Sequence, residues 1–226
     1  MSTERPLVAL ISATPAAIPP IELAFATRAP WVRVWNLLDD RLLVDAGEQG
    51  GVTERLQSRM RRLIEHAIME GADGVLLTCS LYGFVARAMA PQSPVPVFGP
   101  DDAAFDDAVA SGARRVAMVG SIELSVQDSV ERLRAHASAL EVQLDVAPKF
   151  VAGALAAGKA GDVDGVAQLV VTAIDTIDPP VDAVLFAQYS LAPATEGIER
   201  TLGVPVFSGP DRAVLAMLTA LEGPKS

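Results

Sequence analysis

The chain repeats itself. Gly74-Val-Leu-Leu-Thr-Cys-Ser-Leu-Tyr-Gly83 returns near the C-terminus as Ala183-Val-Leu-Phe-Ala-Gln-Tyr-Ser-Leu-Ala192. Val95-Pro-Val-Phe-Gly-Pro-Asp101 is answered by Val204-Pro-Val-Phe-Ser-Gly-Pro-Asp211. A period of about 110 residues is too long for a solenoid and implies that a whole domain was duplicated. Aligning Ser80-Leu81 on Ser190-Leu191 sets Tyr189 opposite Cys79, the only cysteine. Two diverged halves, each with a reactive side chain at the end of an apolar run, predict one cleft between two similar domains.

Short apolar runs alternate with longer amphipathic ones. Strands are expected at Leu7–Ile11, Val32–Leu37, Gly74–Leu77, Val95–Phe98, Val116–Val119, Glu141–Val146, Val184–Phe186 and Val204–Phe207. Helices are expected near Ile18–Ala26, Thr53–Glu70, Gly83–Ala90, Asp101–Ser111, Val126–Ser138, Asp162–Ile177, Ala194–Leu202 and Asp211–Leu221. Continuous Val/Leu runs separated by helices are what a parallel sheet covered on both faces requires. The fold class is therefore α/β: two pseudo-symmetric, Rossmann-like domains, each a parallel sheet flanked by helices. The first would span residues 1–111 and carry Cys79; the second would span 112–226 and carry Tyr189, with the last helix free to pack back on the first. Ligands of such sheets sit beyond the carboxyl ends of the strands.

A chain of 226 residues, 50% of them hydrophobic, can bury a sizeable core. Its net charge of −10 argues against nucleic acid, whose affinity rests on basic side chains neutralising phosphates. One cysteine forms no internal disulfide. No charged-then-apolar leader and no apolar run of about 18 residues is present, so no membrane segment is expected and a cytoplasmic location is. Neither a Walker nor a dinucleotide fingerprint occurs.

Ala13-Thr-Pro15 after the first strand, Asn36-Leu-Leu-Asp-Asp40, Leu77-Thr-Cys-Ser80 and Ala187-Gln-Tyr-Ser-Leu-Ala192 carry a resemblance. With the duplicated Pro-Val-Phe segments they cover nearly the whole chain, which resembles the aspartate/glutamate racemase superfamily. That superfamily includes hydantoin racemases, maleate isomerases and arylmalonate decarboxylases. The resemblance implies two α/β domains, an active site between them, a small carboxylate-bearing substrate, and neither an organic cofactor nor a metal. A homodimer is the expectation for this kind of fold.

In the family pattern two thiols serve as base and acid on opposite faces of a carbon. Cys79 matches the first thiol, whereas Tyr189 stands at the second position. A phenol with an ordinary pKa of about 10 donates a proton readily but is a poor base near neutrality. Racemisation through Cys79 and Tyr189, decarboxylation with Cys79 protonating the carbanion, and addition of Cys79 to a double bond all stay open. So does a binding protein that has lost one catalytic arm. Ser80 and Ser190, directly after the reactive positions, and Thr14, Thr78, Ser121 and Gln188 are candidates for holding substrate.

Each of these residues has a plainer reading. Cysteine in an apolar run is by default a buried hydrophobe, and Tyr189 could fill space left by a lost thiol. His66 and His136 sit in charged helical segments and read as solvated. Asp39-Asp40 reads as a turn, with cation or amine binding as the alternative. Arg59, Arg61 and Arg62 read as the wet face of a helix, and Asp101 and Asp211 as helix caps. Few charged residues fall near the expected site, which favours an uncharged or aryl-bearing side group on the substrate.

Overall fold

The structure, a computed structural model, describes residues 5–222. The chain forms two compact units: the residues up to Pro100 with those from Pro210 onward, and Asp101–Gly209. Each is α/β, and each contains one four-stranded parallel sheet.

In the first unit, β1 (Leu7–Ser12), β2 (Arg33–Leu38), β3 (Gly74–Leu77) and β4 (Val97–Phe98) lie in the order β2-β1-β3-β4. Helices α1 (Ile18–Arg28), α2 (Arg41–Glu48), α3 (Glu54–Met69) and α4 (Gly83–Met89) connect them, and α10 (Gly209–Glu222) joins from the far end of the chain. Every residue of β3 is buried, as a central parallel strand covered on both faces must be. The stripe expected on α3 faces the core at Leu56, Met60, Ile64 and Ala67. Gly74 lets Met217 of α10 approach: a Cβ there would lie 2.6 Å from the methionine sulfur.

In the second unit, β5 (Arg115–Gly120), β6 (Asp145–Phe150), β7 (Ala183–Phe186) and β8 (Val206–Phe207) repeat the order as β6-β5-β7-β8. Helices α5 (Asp102–Ala110), α6 (Glu123–Ala139), α7 (Ala154–Lys159), α8 (Val163–Ile174) and α9 (Thr195–Leu202) surround this sheet. One apolar cluster, with Phe105, Met118, Leu133 and Leu185, packs α5 and α6 on the sheet. A second, with Val119, Val170, Phe186 and Ile198, packs α8 and α9.

The duplication extends to single hydrogen bonds. Asp73, just before β3, accepts the Leu7 N–H at 2.8 Å and so fixes the start of β1. Asp182, just before β7, accepts the Arg114 and Arg115 N–H groups, each at 2.9 Å, at the start of β5. Those two bonds hold the Asp182 carboxyl below the usual carboxylate range.

The structure corrects three local expectations. β6 begins at Asp145, not Glu141, because Glu141 adopts φ 57° in the turn closing α6. Pro148 is tolerated inside β6 because this strand is an edge of the sheet. The helices α2 and α7 were not expected; both are short and carry glycine near their C-terminal ends, which weakens a periodic signal.

Candidate functional site

In the first unit the site is built where β1 and β3 end. The Thr78 N–H continues the ladder by donating to Ile11 O at 3.0 Å. The Ser12 and Thr78 hydroxyls meet at 2.8 Å, both buried. Thr78 thus spends its side chain on an internal pair. Cys79 follows in extended backbone (φ −119°, ψ 113°) and leads into a 3-10 turn, Ser80–Tyr82, that runs on into α4. The Tyr82 N–H donates to Cys79 O at 3.1 Å, which fixes the bend. Cys79 is 8% exposed and Ser80 4%. Thr14 is half-buried after β1, its carbonyl accepting the Ala17 N–H at 3.3 Å.

The corresponding construction in the second unit changes one alignment. The Ala187 N–H donates to Val119 O at 2.8 Å, as Thr78 does to Ile11, so Ala187 matches Thr78. Gln188, in extended backbone, then precedes a 3-10 turn that starts at Tyr189, and the Leu191 N–H donates to Gln188 O at 3.3 Å. By ladder register the equivalent of Cys79 is therefore Gln188, and Tyr189 is the equivalent of Ser80. The expectation that Tyr189 stands opposite Cys79 is off by one residue: matching Ser-Leu with Ser-Leu overlooks a residue added within the turn.

Gln188 Oε1 accepts the Ser121 N–H at 2.6 Å and the Ser121 hydroxyl at 3.0 Å. This joins the ends of β5 and β7 as the Ser12–Thr78 pair joins β1 and β3. It also fixes the amide, leaving Nε2 as its donor end. Gly120 makes room, since a Cβ there would lie 2.6 Å from Val126 Cγ2 and 3.3 Å from Gln188 Oε1. Ser190 is half-buried, while Tyr189 is 2% exposed. Thr14, Thr78, Cys79 and Ser80 thus gather at one sheet's carboxyl end, and Ser121, Gln188, Tyr189 and Ser190 at the other's.

The electrostatics separate the candidates. Burial first, then the nearby Asp101 and Asp102 charges, push the Tyr189 phenol well above its ordinary pKa. Tyr189 is held neutral. Asp101 does not cap α5 with its side chain; it accepts from Arg132 Nη2 at 2.6 Å, while Arg132 Nε donates to Asp128 at 2.8 Å. Burial works against the Arg132 charge, but the two carboxylates outweigh it and hold the pKa above normal. Arg132 also lies over the Phe105 ring, 5.2 Å from its centroid.

Other charged residues also depart from their sequence readings. Arg59 is not simply a wet-face residue: Nε sits 2.6 Å from Asp39 Oδ2, Nη2 donates to Asp39 Oδ1 at 2.8 Å, and Nη1 to Asp45 at 3.3 Å. Asp39 does form the expected turn, accepting the Arg41 N–H at 3.3 Å. Asp211 lies within α10 and pairs with Arg28 at 3.0 Å. His136 is not free in solvent but lies 2.8 Å from Asp106, whereas His66 is exposed. Among the described residues no group of three or more His, Cys, Asp or Glu could hold a metal ion. No helix among them is long and apolar enough to cross a membrane. Sequence reasoning missed Ser12, Tyr82 and the Arg59 cluster as parts of the site; only the small polar end of β1 hinted at the first.

The family model for Asp/Glu/hydantoin racemase matches residues 44–217. This chain belongs to that family. No curated protein sequence matches it. Solved structures that share the racemase fold include a glutamate racemase isoform from Bacillus anthracis, 14% identical, with a TM-score of 0.76 over 97% of this chain and 82% of that one. Aspartate racemase from Picrophilus torridus is 15% identical, with a TM-score of 0.69 over 96% of this chain and 94% of that one. A liganded arylmalonate decarboxylase double mutant, with cysteine in place of a glycine and serine in place of a cysteine, is 21% identical; its TM-score is 0.64 over 98% and 94%.

Proposed function

We propose that this racemase-family protein is a cofactor-independent enzyme in which Cys79 alone moves a proton at the carbon next to a carboxylate. The thiolate form takes the α-proton, and the electron pair left on carbon is shared with the carboxylate as an enediolate. A proton returned by the thiol to the same face is exchanged with solvent. Protonation of the opposite face by water, with the thiol passing its proton to the hydroxide so formed, inverts the carbon and restores the thiolate. Main-chain N–H donors at the strand end would favour the thiolate and stabilise the growing negative charge. Ser80 and Thr14 lie at the same end of the first sheet and would hold the carboxylate; Ser121, the Gln188 amide and Ser190 are the matching neutral donors of the second.

The observation that carries this reading is the register that makes Gln188 the counterpart of Cys79. A carboxamide neither takes nor gives a proton near neutrality. The adjacent Tyr189 is kept as a phenol, fit to donate a hydrogen bond and unfit to act as a base. A symmetric two-base racemase is thereby disfavoured, although isomerisation through Cys79 is not. The same observation favours a second reading, decarboxylation. Carbon dioxide would leave a malonate-type acid, the Cys79 thiol would protonate the carbanion, and water would reprotonate the thiolate. That reaction needs one proton donor only.

The test is NMR in heavy water over small amino acids, hydantoins, 2-substituted malonates and maleate. Deuterium entering the α-position of one enantiomer only, or a single enantiomer formed from a malonate, is the expected result. Equal exchange into both enantiomers would contradict single-thiol chemistry. No turnover, with ligands still protecting Cys79 from alkylation, would point to a binding protein.

A further inference from the structure

We infer that Tyr82 is a positioning residue that ties Cys79 to the segment Asp39–Glu48, with Arg59 as the clasp that sets the segment's place. The inference rests on Cys79 being the reactive group. Tyr82 is fully buried and reaches in two directions. Its N–H holds the Cys79 carbonyl at 3.1 Å, and its hydroxyl donates to Leu42 O, in the first turn of α2, at 2.8 Å. One residue, through its main-chain N–H and its side-chain hydroxyl, thus joins the cysteine bend to a helix 40 residues away in sequence.

Helix α2 buries Leu42, Asp45 and Ala46 and leaves Val44 exposed. The chain leaves it through Gly50 and Gly51, both at positive φ. On its polar side Arg59 of α3 grips Asp39 with two nitrogens and reaches Asp45, whose other oxygen takes Arg41 at 2.7 Å. This fork is geometry that a lysine lacks. Burial, followed by the charges of Cys79, Asp39 and Asp45, raises the Tyr82 pKa, with Arg59 opposing. The raised pKa keeps the hydroxyl protonated near neutrality, able to donate to Leu42 O. A shift of α2 moves Leu42 O, and Tyr82 carries that shift to the backbone of Cys79.

The experiment is alkylation of Cys79, the only cysteine, by iodoacetamide in the full chain. The readout is the plateau rate reached above the thiol pKa, which reports access and geometry and not ionisation. Tyr82→Phe and Arg59→Lys, alone and combined, form a double-mutant cycle. Each single variant should speed the plateau rate about threefold or more, and the pair should exceed the larger single effect by little, because both act through α2. Amide exchange should quicken within residues 41–48 and 79–83, and kcat on any substrate found should fall with KM nearly unchanged. Unchanged plateau rates in both variants, or effects that multiply independently, would overturn the inference. Should Tyr82→Phe not fold, Arg59→Lys alone decides by the same rate. Alkylation needs no turnover, so a protein that lacks the proposed activity can still pass or fail this test.

Discussion

Cys79 and Gln188 hold the same place in two copies of one ladder. Each follows a residue whose N–H closes the pairing with the first strand of its sheet, and each carbonyl accepts the N–H three residues on. The duplication kept the backbone and changed the side chain. Gln188→Cys should therefore place a thiol at the position equivalent to Cys79. We expect it to raise interconversion of product enantiomers by about a hundredfold or more, within the range that a positioned acid or base contributes. Chiral chromatography of product incubated with the variant checks this; no gain in a folded variant would show that the equivalence stops at the backbone.

Gly120→Ala probes the packing beneath Gln188. The new methyl would meet Val126 Cγ2 and press on Gln188 Oε1, and a valine side chain has little freedom to yield. A loss of about 1–3 kcal/mol in urea unfolding is expected, the usual range for overpacking a tight site. An unchanged midpoint would mean that the β5 end relaxes freely.

Arg132 and Asp101 form a buried pair, their side chains 11% and 4% exposed. Arg132→Ala strands the Asp101 carboxylate away from water, and about 3–5 kcal/mol should be lost on breaking such a pair. Arg132→Met with Asp101→Leu should recover much of that, since neither charge is then left alone. Urea midpoints of the single and double variants decide; equal losses would rule out an uncompensated charge as the cause.

Both tyrosines have folded-state pKa values above the ordinary value of about 10. A raised pKa means that the native state holds the phenolic proton more tightly than the unfolded chain. This stability is fully present below about pH 10 and is lost as the pH climbs toward the folded-state values. Phenolate absorbance should appear together with loss of the far-UV dichroism signal. Two tyrosines that ionise near pH 10 in a still-folded protein would contradict the burial described here.

Much of this architecture is legible in the amino-acid order. Buried parallel strands are apolar throughout, so β1, β3, β5 and β7 stand out as Val/Leu runs, and the repeat announces two units. What is not legible depends on register and on partners distant in sequence. Whether Cys79 matches Tyr189 or Gln188 turns on a single residue within a turn, which identity of neighbouring letters decides wrongly and a ladder hydrogen bond decides directly. Asp101 follows a proline and looks like a cap, yet Arg132, 31 residues on, claims its carboxylate. Arg59 stands among other arginines on α3, and nothing local shows that Asp39 and Asp45 lie within its reach.

The central claim is that Cys79 carries the proton. The most direct measurement is the rate of α-deuterium incorporation from heavy water, by wild type and by Cys79→Ala, into whichever substrate the panel yields. The account predicts that Cys79→Ala loses exchange by about a thousandfold or more, as expected when a positioned acid-base group is removed, while far-UV dichroism and the urea midpoint stay close to wild type. Full exchange by a folded Cys79→Ala protein would contradict it.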